Sequence, residues 1–374
     1  MKIFIKSKNQ LYLEKILSRT YPSDKKIQLR EFEVKNFKNK IKVAKRLIVF
    51  YKRMQDDFPS NKLEKSGNDI WTGILKKELP ELFNAINSDN PELLAYSLQQ
   101  FSKSNVWFGG LTTALDGYTK NISKKDVGLV YYDKLVCLAE ALGVLPKKNP
   151  EASKRNYSDN LSPEKIFREI EKKLNINIAP PMGIIHTDGI PVKNDTLLHY
   201  RHINSIYAAY KISMHTKKKR ASVCEIGGGF GMTAYYSIIF GIKSYNLYDL
   251  PIVCLLAANY LINALGENIV SLFGEVQKDN KIKINPYWRV LDTRVNQFDL
   301  SFNQDSFPEI NEKILEQYIA MIAKNTNGLF LSINHEHFYP KTVNNIVSKT
   351  NLIKLKQRDL CWIREGFVEE IYTK

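Results

Sequence analysis

The residues best able to do chemistry lie in one loop, Glu225-Ile226-Gly227-Gly228-Gly229-Phe230-Gly231, where glycine falls at every second position after an acid. Residues without a Cβ let the backbone turn tightly and approach a ligand, and a helix starting just beyond points its amino end at that ligand. The glycines admit two registers of a dinucleotide fingerprint. Counted from Gly227 the sixth position is Met232, which fails; counted from Gly229 it is Ala234, which fits the tolerated variant. Further on, Asp249 stands where the ribose hydroxyls of a nucleoside cofactor would lie. Leu250-Pro251 then open a helix whose apolar side could cover an adenine. A second polar group follows in Asn303-Gln304-Asp305-Ser306 and Glu309, and a third in Asn334-His335-Glu336-His337. Asp305, Glu309 and His335 can each accept a proton, and His335 leads because an imidazole titrates near neutrality without much tuning. Asp305, Asn334 and Glu336 also form an oxygen set that would suit magnesium, but histidines two apart in a short run are thin grounds for zinc, and no metal is expected.

These residues need a scaffold that brings loops from distant segments together. From Ala221 onward strand and helix patterns alternate: strands at 221–226, 244–249, 268–273, 298–303 and 328–334, with helices at 232–240, 252–265 and 309–324 between them. Strict alternation predicts right-handed crossovers and a parallel, doubly wound α/β sheet, with ligands at the carboxyl ends of its strands. Two further strands within 352–372, separated near Arg364-Glu365-Gly366, would close it as an antiparallel edge hairpin. Ahead of this, 70–145 has helical periodicity, 146–163 reads as a linker, and 179–191 reads as loop because of its Gly and Pro content. The expected organisation is a basic helical segment at 1–65, a helical domain at 66–178 and the cofactor domain at 179–374. Tyr200, Arg201 and His202 open the helix leading into the first strand, where they could reach the cofactor or an acceptor phosphate, or simply pack. His337 is a further candidate for substrate binding.

The net charge of +16 is concentrated, since residues 1–65 hold 18 Lys/Arg against 7 Asp/Glu. The stretch 37–54 forms a basic amphipathic helix whose apolar stripe suits a core and whose lysines would suit an anionic membrane surface. No run reaches the length of a membrane span, and the amino terminus returns to charge too early for a signal peptide, so a cytoplasmic location is expected. Cys137, Cys224, Cys254 and Cys361 are scattered, which suggests neither a disulfide framework nor a zinc site.

The acid two residues before the first glycine, with glycine at alternate positions, resembles the cofactor loop of class I methyltransferases. More closely, Glu225–Gly231, Ala234-Tyr235-Tyr236, Tyr248-Asp249-Leu250-Pro251, Phe298-Asp299-Leu300, Asn303, Asp305-Ser306 and Glu309 look like the sugar O-methyltransferases of bacterial surface-polysaccharide gene clusters, with a departure at Pro308-Glu309-Ile310. The resemblance covers most of the chain beyond residue 65. It implies a Rossmann-like fold, S-adenosyl-L-methionine as cofactor held by Glu225, Gly227, Gly228, Gly229, Gly231, Asp249, Leu250 and Asn303, and a sugar or glycan acceptor. It implies that Glu309 faces the active site. A methylase of exocyclic base nitrogens would carry an Asn-Pro-Pro-aromatic turn after the fourth strand, where this chain has Asn303-Gln304-Asp305-Ser306; Asn285-Pro286-Tyr287-Trp288 reads as an ordinary turn. No nucleic-acid partner is therefore expected. The alternatives are a nucleic-acid or other small-molecule methyltransferase, and a scaffold that binds the cofactor without catalysing.

Overall fold

The computed structural model describes residues 21, 25–33, 36, 38–59, 73, 76–77, 79–101, 107–108, 111–112, 123–147, 161–216, 221–276, 281–336 and 342–374. In chain order its first elements are β1 (Arg30–Glu31), α1 (Lys40–Asp56), α2 (Pro80–Asn87), α3 (Pro91–Phe101), β2 (Trp107–Phe108), β3 (Leu111–Thr112), α4 (Lys124–Ala141) and α5 (Pro163–Leu174). There follow β4 (Asp188–Lys193), β5 (Thr196–Leu198), α6 (Tyr200–His215), β6 (Ser222–Ile226), α7 (Met232–Ile239), β7 (Ser244–Asp249), α8 (Pro251–Leu265), β8 (Val270–Leu272) and β9 (Ile282–Pro286). The chain ends with β10 (Phe298–Gln304), α9 (Glu312–Asn325), β11 (Thr326–His335), α10 (Val343–Thr350), β12 (Lys354–Leu360) and β13 (Phe367–Thr373).

The chain divides into two compact units, one of residues 1–35 and 99–204 and one of 36–98 and 205–374. α1, α2 and the greater part of α3 group with the large sheet, and the cuts fall inside α3 and α6.

In the first unit, α4 and α5 begin on serine caps: Ser123 accepts from the Asp126 N–H and Ser162 from the Lys165 N–H. Each cap satisfies a helix-end donor that would otherwise be unmet. β1, β4 and β5 form a small antiparallel sheet, so part of the segment read as loop is strand. Pro191 is tolerated there beside a register shift between Pro191 and Lys193. Behind this sheet sits a buried polar cluster. The rings of His186 and His199 stack at 3.9 Å, and His202 meets His186 edge-on at 5.4 Å. Tyr131 packs on His199 and donates its hydroxyl to Asp188 Oδ2 at 2.8 Å. Burial holds His186 and His199 well below the ordinary imidazole range and His202 down to about 3, while it lifts Asp188 to about 7.

The second unit is built on an eight-stranded sheet in the order β12-β13-β11-β10-β6-β7-β9-β8. All neighbouring pairs are parallel except those of β13, which runs antiparallel to both β11 and β12. β7 lies on one side of β6 and β10 on the other, so strand order reverses between β6 and β10 and opens a crevice at their carboxyl ends. One face is covered by α9 and α10, whose Leu315, Ile319, Ile322 and Ile346 pack with Ile226, Phe298, Phe330 and Tyr372. α8 is apolar on nearly every side, from Ile252 to Ile262, as a helix covered on all faces must be. α1 packs against α8 and buries Val43, Leu47, Ile48, Phe50 and Met54, so its apolar stripe serves the core rather than a lipid surface. Arg46 fixes that packing with a fork onto both Glu275 oxygens at 2.7 Å and a bond to the Val270 carbonyl. The end of α1 is held by Asp57, which accepts from Trp288 Nε1 and Arg289 Nε, each at 2.8 Å.

Candidate functional site

The glycine loop leaves β6 at the point where strand order reverses. Its first turn is set by the Gly227 N–H donating to the Tyr248 carbonyl at 2.8 Å and its last by the Gly231 N–H donating to the Gly228 carbonyl at 2.9 Å. Two positions forbid a side chain for different reasons. A Cβ on Gly227, at φ +76°, would lie 2.1 Å from Ser306 Oγ, so this glycine lets the loop close against the segment after β10. Gly229, at φ +55°, has nothing within 4 Å of its missing Cβ, so there the backbone is bare toward open space.

Two acids flank this bare backbone. Asp249, at the end of β7, accepts from the Gly229 N–H at 2.8 Å and, through its other oxygen, from the Leu250 N–H at 2.7 Å. Each carboxylate oxygen can accept a further bond, so the acid is aimed before any hydroxyl reaches it. Glu225 is only 2% exposed, and its Oε2 has no hydrogen-bond partner among the described residues. A Cβ on Gly228 would come within 2.8 Å of that oxygen, so the acid lies directly beneath the loop. Burial pushes Glu225 up to about 8; the Tyr245 hydroxyl offsets part of the rise and the Asp249 charge adds to it. An acid held this way is primed for a cation above the loop, which would restore the ionised form.

On the other side of the crevice Asn303, fully buried on β10, donates to the Ile226 carbonyl and to Ser306 Oγ, each at 2.6 Å, and accepts from Asn334 Nδ2 at 2.9 Å. Its polar atoms are thus engaged in tying β6, β10 and β11 together, and it shapes the loop from behind. Asp305 follows in a left-handed conformation at φ +68°, with its N–H on the Ile333 carbonyl at 3.3 Å. Arg364, in the β12–β13 turn, donates to Asp305 Oδ2 at 2.6 Å and lies over the Phe367 ring at 3.5 Å. His335, the last residue of β11 and 7% exposed, meets the same ring edge-on at 5.5 Å. Glu309 sits in the short 3-10 turn Phe307–Glu309 just beyond.

The crevice therefore gathers Glu225, the loop glycines, Asp249, Leu250, Asn303, Asp305, Glu309 and His335 on the carboxyl ends of adjacent strands. Tyr200 and Arg201 belong to the first unit, where Arg201 Nε donates to the Tyr200 hydroxyl at 2.9 Å; His337 lies outside the described residues. Glu336 is drawn into an ion pair with Arg358, and among the described residues no group of His, Cys, Asp and Glu is arranged to hold a metal. Sequence reading does not reveal Ser306 as the loop's packing partner, nor the stacking of Arg364, at the expected hairpin turn, on Phe367 of the following strand. It also misplaced Asn285-Pro286-Tyr287-Trp288. Pro286 is the β9 residue opposite Asp249, so this turn borders the crevice. The alternation in Lys281-Ile282-Lys283-Ile284 was the available signal of that strand.

No family model matches the chain, and no curated protein matches its sequence. Among solved structures it is similar to the mitomycin 7-O-methyltransferase MmcR, at 12% identity and a TM-score of 0.33, covering 46% of this chain and 55% of that one. It is similar to a TehB-like SAM-dependent methyltransferase from Corynebacterium glutamicum, at 14% identity and 0.34, covering 45% and 86%. It is also similar to the [4+2]-cyclase SpnF, at 10% and 0.33, covering 41% and 58%. Likenesses at this level assign no activity, and the function must be read from the site.

Proposed function

We propose that this chain is a class I S-adenosyl-L-methionine-dependent O-methyltransferase acting on a sugar hydroxyl of a surface-polysaccharide precursor or glycan. The observation that carries the cofactor reading is the crevice at the β6/β10 reversal. There, bare backbone at Gly229, an aimed Asp249 and an unmet Glu225 oxygen fit bare-backbone contact, a ribose diol and an ammonium group. The sheet order, with antiparallel β13 between β11 and β12, supports the same class. The sugar acceptor rests on the resemblance of Tyr248–Pro251 and Asn303–Glu309 to the sugar enzymes.

Bound there, the cofactor would supply a methyl group on a sulfonium. The chain's part is alignment, exclusion of water and removal of the acceptor proton. Glu225, Gly227, Gly228, Gly229, Gly231, Asp249 and Leu250 would hold the donor, with Asn303 positioning the loop. Asp305, Glu309 and His335 lie on the side where the acceptor would enter, and one of them takes the proton. His337 is assigned to acceptor binding; Tyr200 and Arg201 keep that assignment from the sequence alone. Among the described residues no helix is long and apolar enough to cross a membrane, in keeping with work on a cytoplasmic precursor.

Calorimetry with S-adenosylhomocysteine, followed by transfer from tritiated cofactor to capsular and lipopolysaccharide fractions, tests this. Micromolar binding and labelled glycan are expected. Absence of binding would sink the cofactor assignment, label in RNA or DNA alone would replace the acceptor, and tight binding without transfer to any extract would leave a scaffold.

A further inference from the structure

We infer that Tyr245 is a positioning residue for Glu225 and that, with Ser237, it forms a chain of hydroxyls whose direction reverses when the ammonium of the cofactor arrives, so that binding expels one proton. The inference deepens the methyltransferase reading and rests on it for the identity of the cation.

The three residues come from three elements and meet on one face of the sheet. In the β6/β7 register Val223 stands opposite Tyr245 and Glu225 opposite Leu247, so the phenol and the carboxyl share a face of adjacent strands, two positions apart. Ser237 comes from α7, and the Tyr245 hydroxyl interacts with both Glu225 and Ser237. All three are buried, Tyr245 and Ser237 completely. Yet Glu225 Oε2, the Tyr245 hydroxyl and Ser237 Oγ each lack a hydrogen bond of good geometry among the described residues. Buried polar groups are almost always paired, and phenylalanine would fill the space at 245 without leaving a hydroxyl unmet. The hydroxyl therefore has a use that packing does not explain, and the acid it touches is Glu225.

The groups around Glu225 set the sense of the switch. From β7, Tyr245 favours the ionised carboxylate and the Asp249 charge opposes it. From β10 the residue opposite is Phe302, and beside it in β6 burial keeps the Cys224 thiol protonated. Tyr235 and Tyr236 on α7 and Tyr260 on α8 stay neutral for the same reason. Burial and the Glu225 charge raise Tyr245 as well, so it remains a donor.

A hydroxyl both donates and accepts, so the chain can run either way. While Glu225 carries its proton, the carboxyl O–H donates to the Tyr245 oxygen and the Tyr245 O–H donates to Ser237 Oγ. An ammonium above Gly228 favours the carboxylate, and the proton leaves to solvent. Ser237 then donates to Tyr245 and Tyr245 donates to the carboxylate, while Oε2 faces the ammonium.

The test titrates S-adenosylhomocysteine by calorimetry into the full chain and its Tyr245→Phe, Ser237→Ala and Glu225→Gln variants from pH 6 to 9, in buffers of different ionisation heat. The parent should release about one proton at pH 7, and its affinity should climb with pH and level off near 8. Tyr245→Phe removes a donor to a charged group, so it should bind about tenfold more weakly at pH 7 and come within about threefold of the parent at pH 9. Ser237→Ala should shift the profile in the same sense, by about threefold at pH 7. In the Glu225→Gln background, Tyr245→Phe should change affinity by less than about twofold, and the pH dependence should be gone. Without ligand, the loss of stability with rising pH should run further past pH 8 in Tyr245→Phe than in the parent. Tyr245→Phe binding as the parent does, or more weakly by one factor at every pH, overturns the inference, as does binding without proton release. If the parent binds no homocysteine analogue while the ligand-free slope still extends, the cofactor reading and the expelled proton fall and Tyr245 keeps its part toward Glu225. If the parent binds while slope and profile are unchanged by Tyr245→Phe, the cofactor reading stands and the inference falls.

Discussion

Glu225 beneath the glycine loop and the trio His186, His199 and His202 in the first unit are both removed from water, and both contain a polar atom with no hydrogen-bond partner among the described residues. Their surroundings differ. The trio is filled in by its own rings and by Tyr131, whereas Glu225 lies next to backbone stripped of side chains. An unmet buried group marks a ligand site when there is room beside it, and a packing compromise when there is not. The two clusters also respond to pH in opposite senses, which makes the contrast measurable.

The largest effect should come from the open position. Gly229→Ala should lower homocysteine-analogue affinity at least thirtyfold in calorimetry while costing only about 1–2 kcal/mol of stability, the ordinary cost of a left-handed backbone for a residue with a Cβ. An equal loss of folding and binding would mean that the loop is merely structural. Next, Glu225→Gln should weaken the same ligand about tenfold. In the folded chain Glu225 titrates near 8 against about 4.5 when unfolded, so between these values the folded state holds the extra proton. Its contribution is therefore present at low pH and lost as pH rises through 8, at up to about 1.4 kcal/mol per pH unit. Denaturant titrations should show that slope in the parent and not in Glu225→Gln. Ligand binding should release a proton over the same window.

The trio has the other sign. Its folded pKa values lie below the unfolded value of about 6.5, with His202 near 3, so its contribution is complete above that value and lost on acidification. Asp188, raised to about 7, opposes this but is outnumbered. Glu225 and Asp188 act against the trio in this window, so the trio is read by difference: between pH 7 and 4 the parent should lose more stability, or gain less, than the His202→Phe variant. The smallest effect is expected at His186. Both its ring nitrogens lack partners among the described residues, so His186→Phe should be neutral or stabilising by about 1 kcal/mol in denaturant midpoints.

What could be read from sequence follows from how local each signal is. β6, α7, β7 and α8 are apolar runs bounded by glycine or proline, so their kind and order are written in consecutive residues. β4 and β5 were hidden because Gly189 and Pro191 look like loop, and only tertiary pairing makes them strand. The glycine loop and Asp249, to which the proposal gives the cofactor, lie within one short segment, so their nearness could be read from spacing. The pairing of Asp305 with Arg364 could not, because the two are 59 positions apart and meet through the antiparallel insertion of β13. Asn303 is expected from sequence to hold the cofactor, and its hydrogen bonds to the Ile226 carbonyl and Ser306 add a bracing part that no motif reveals.

The packing of α1 on α8 has a consequence for biosynthesis. Lys42 and Glu267, an ion pair across that interface at 3.0 Å, are 225 residues apart, so α1 leaves the ribosome long before its partner exists. At about 5–20 residues per second the helix waits roughly 10–45 s with Leu47, Phe50 and Met54 uncovered. Its lysine-rich outer face keeps the nascent segment dissolved during that interval. A chain trimmed at its amino terminus past Asp56 would be made faster and would emerge with α8 uncovered.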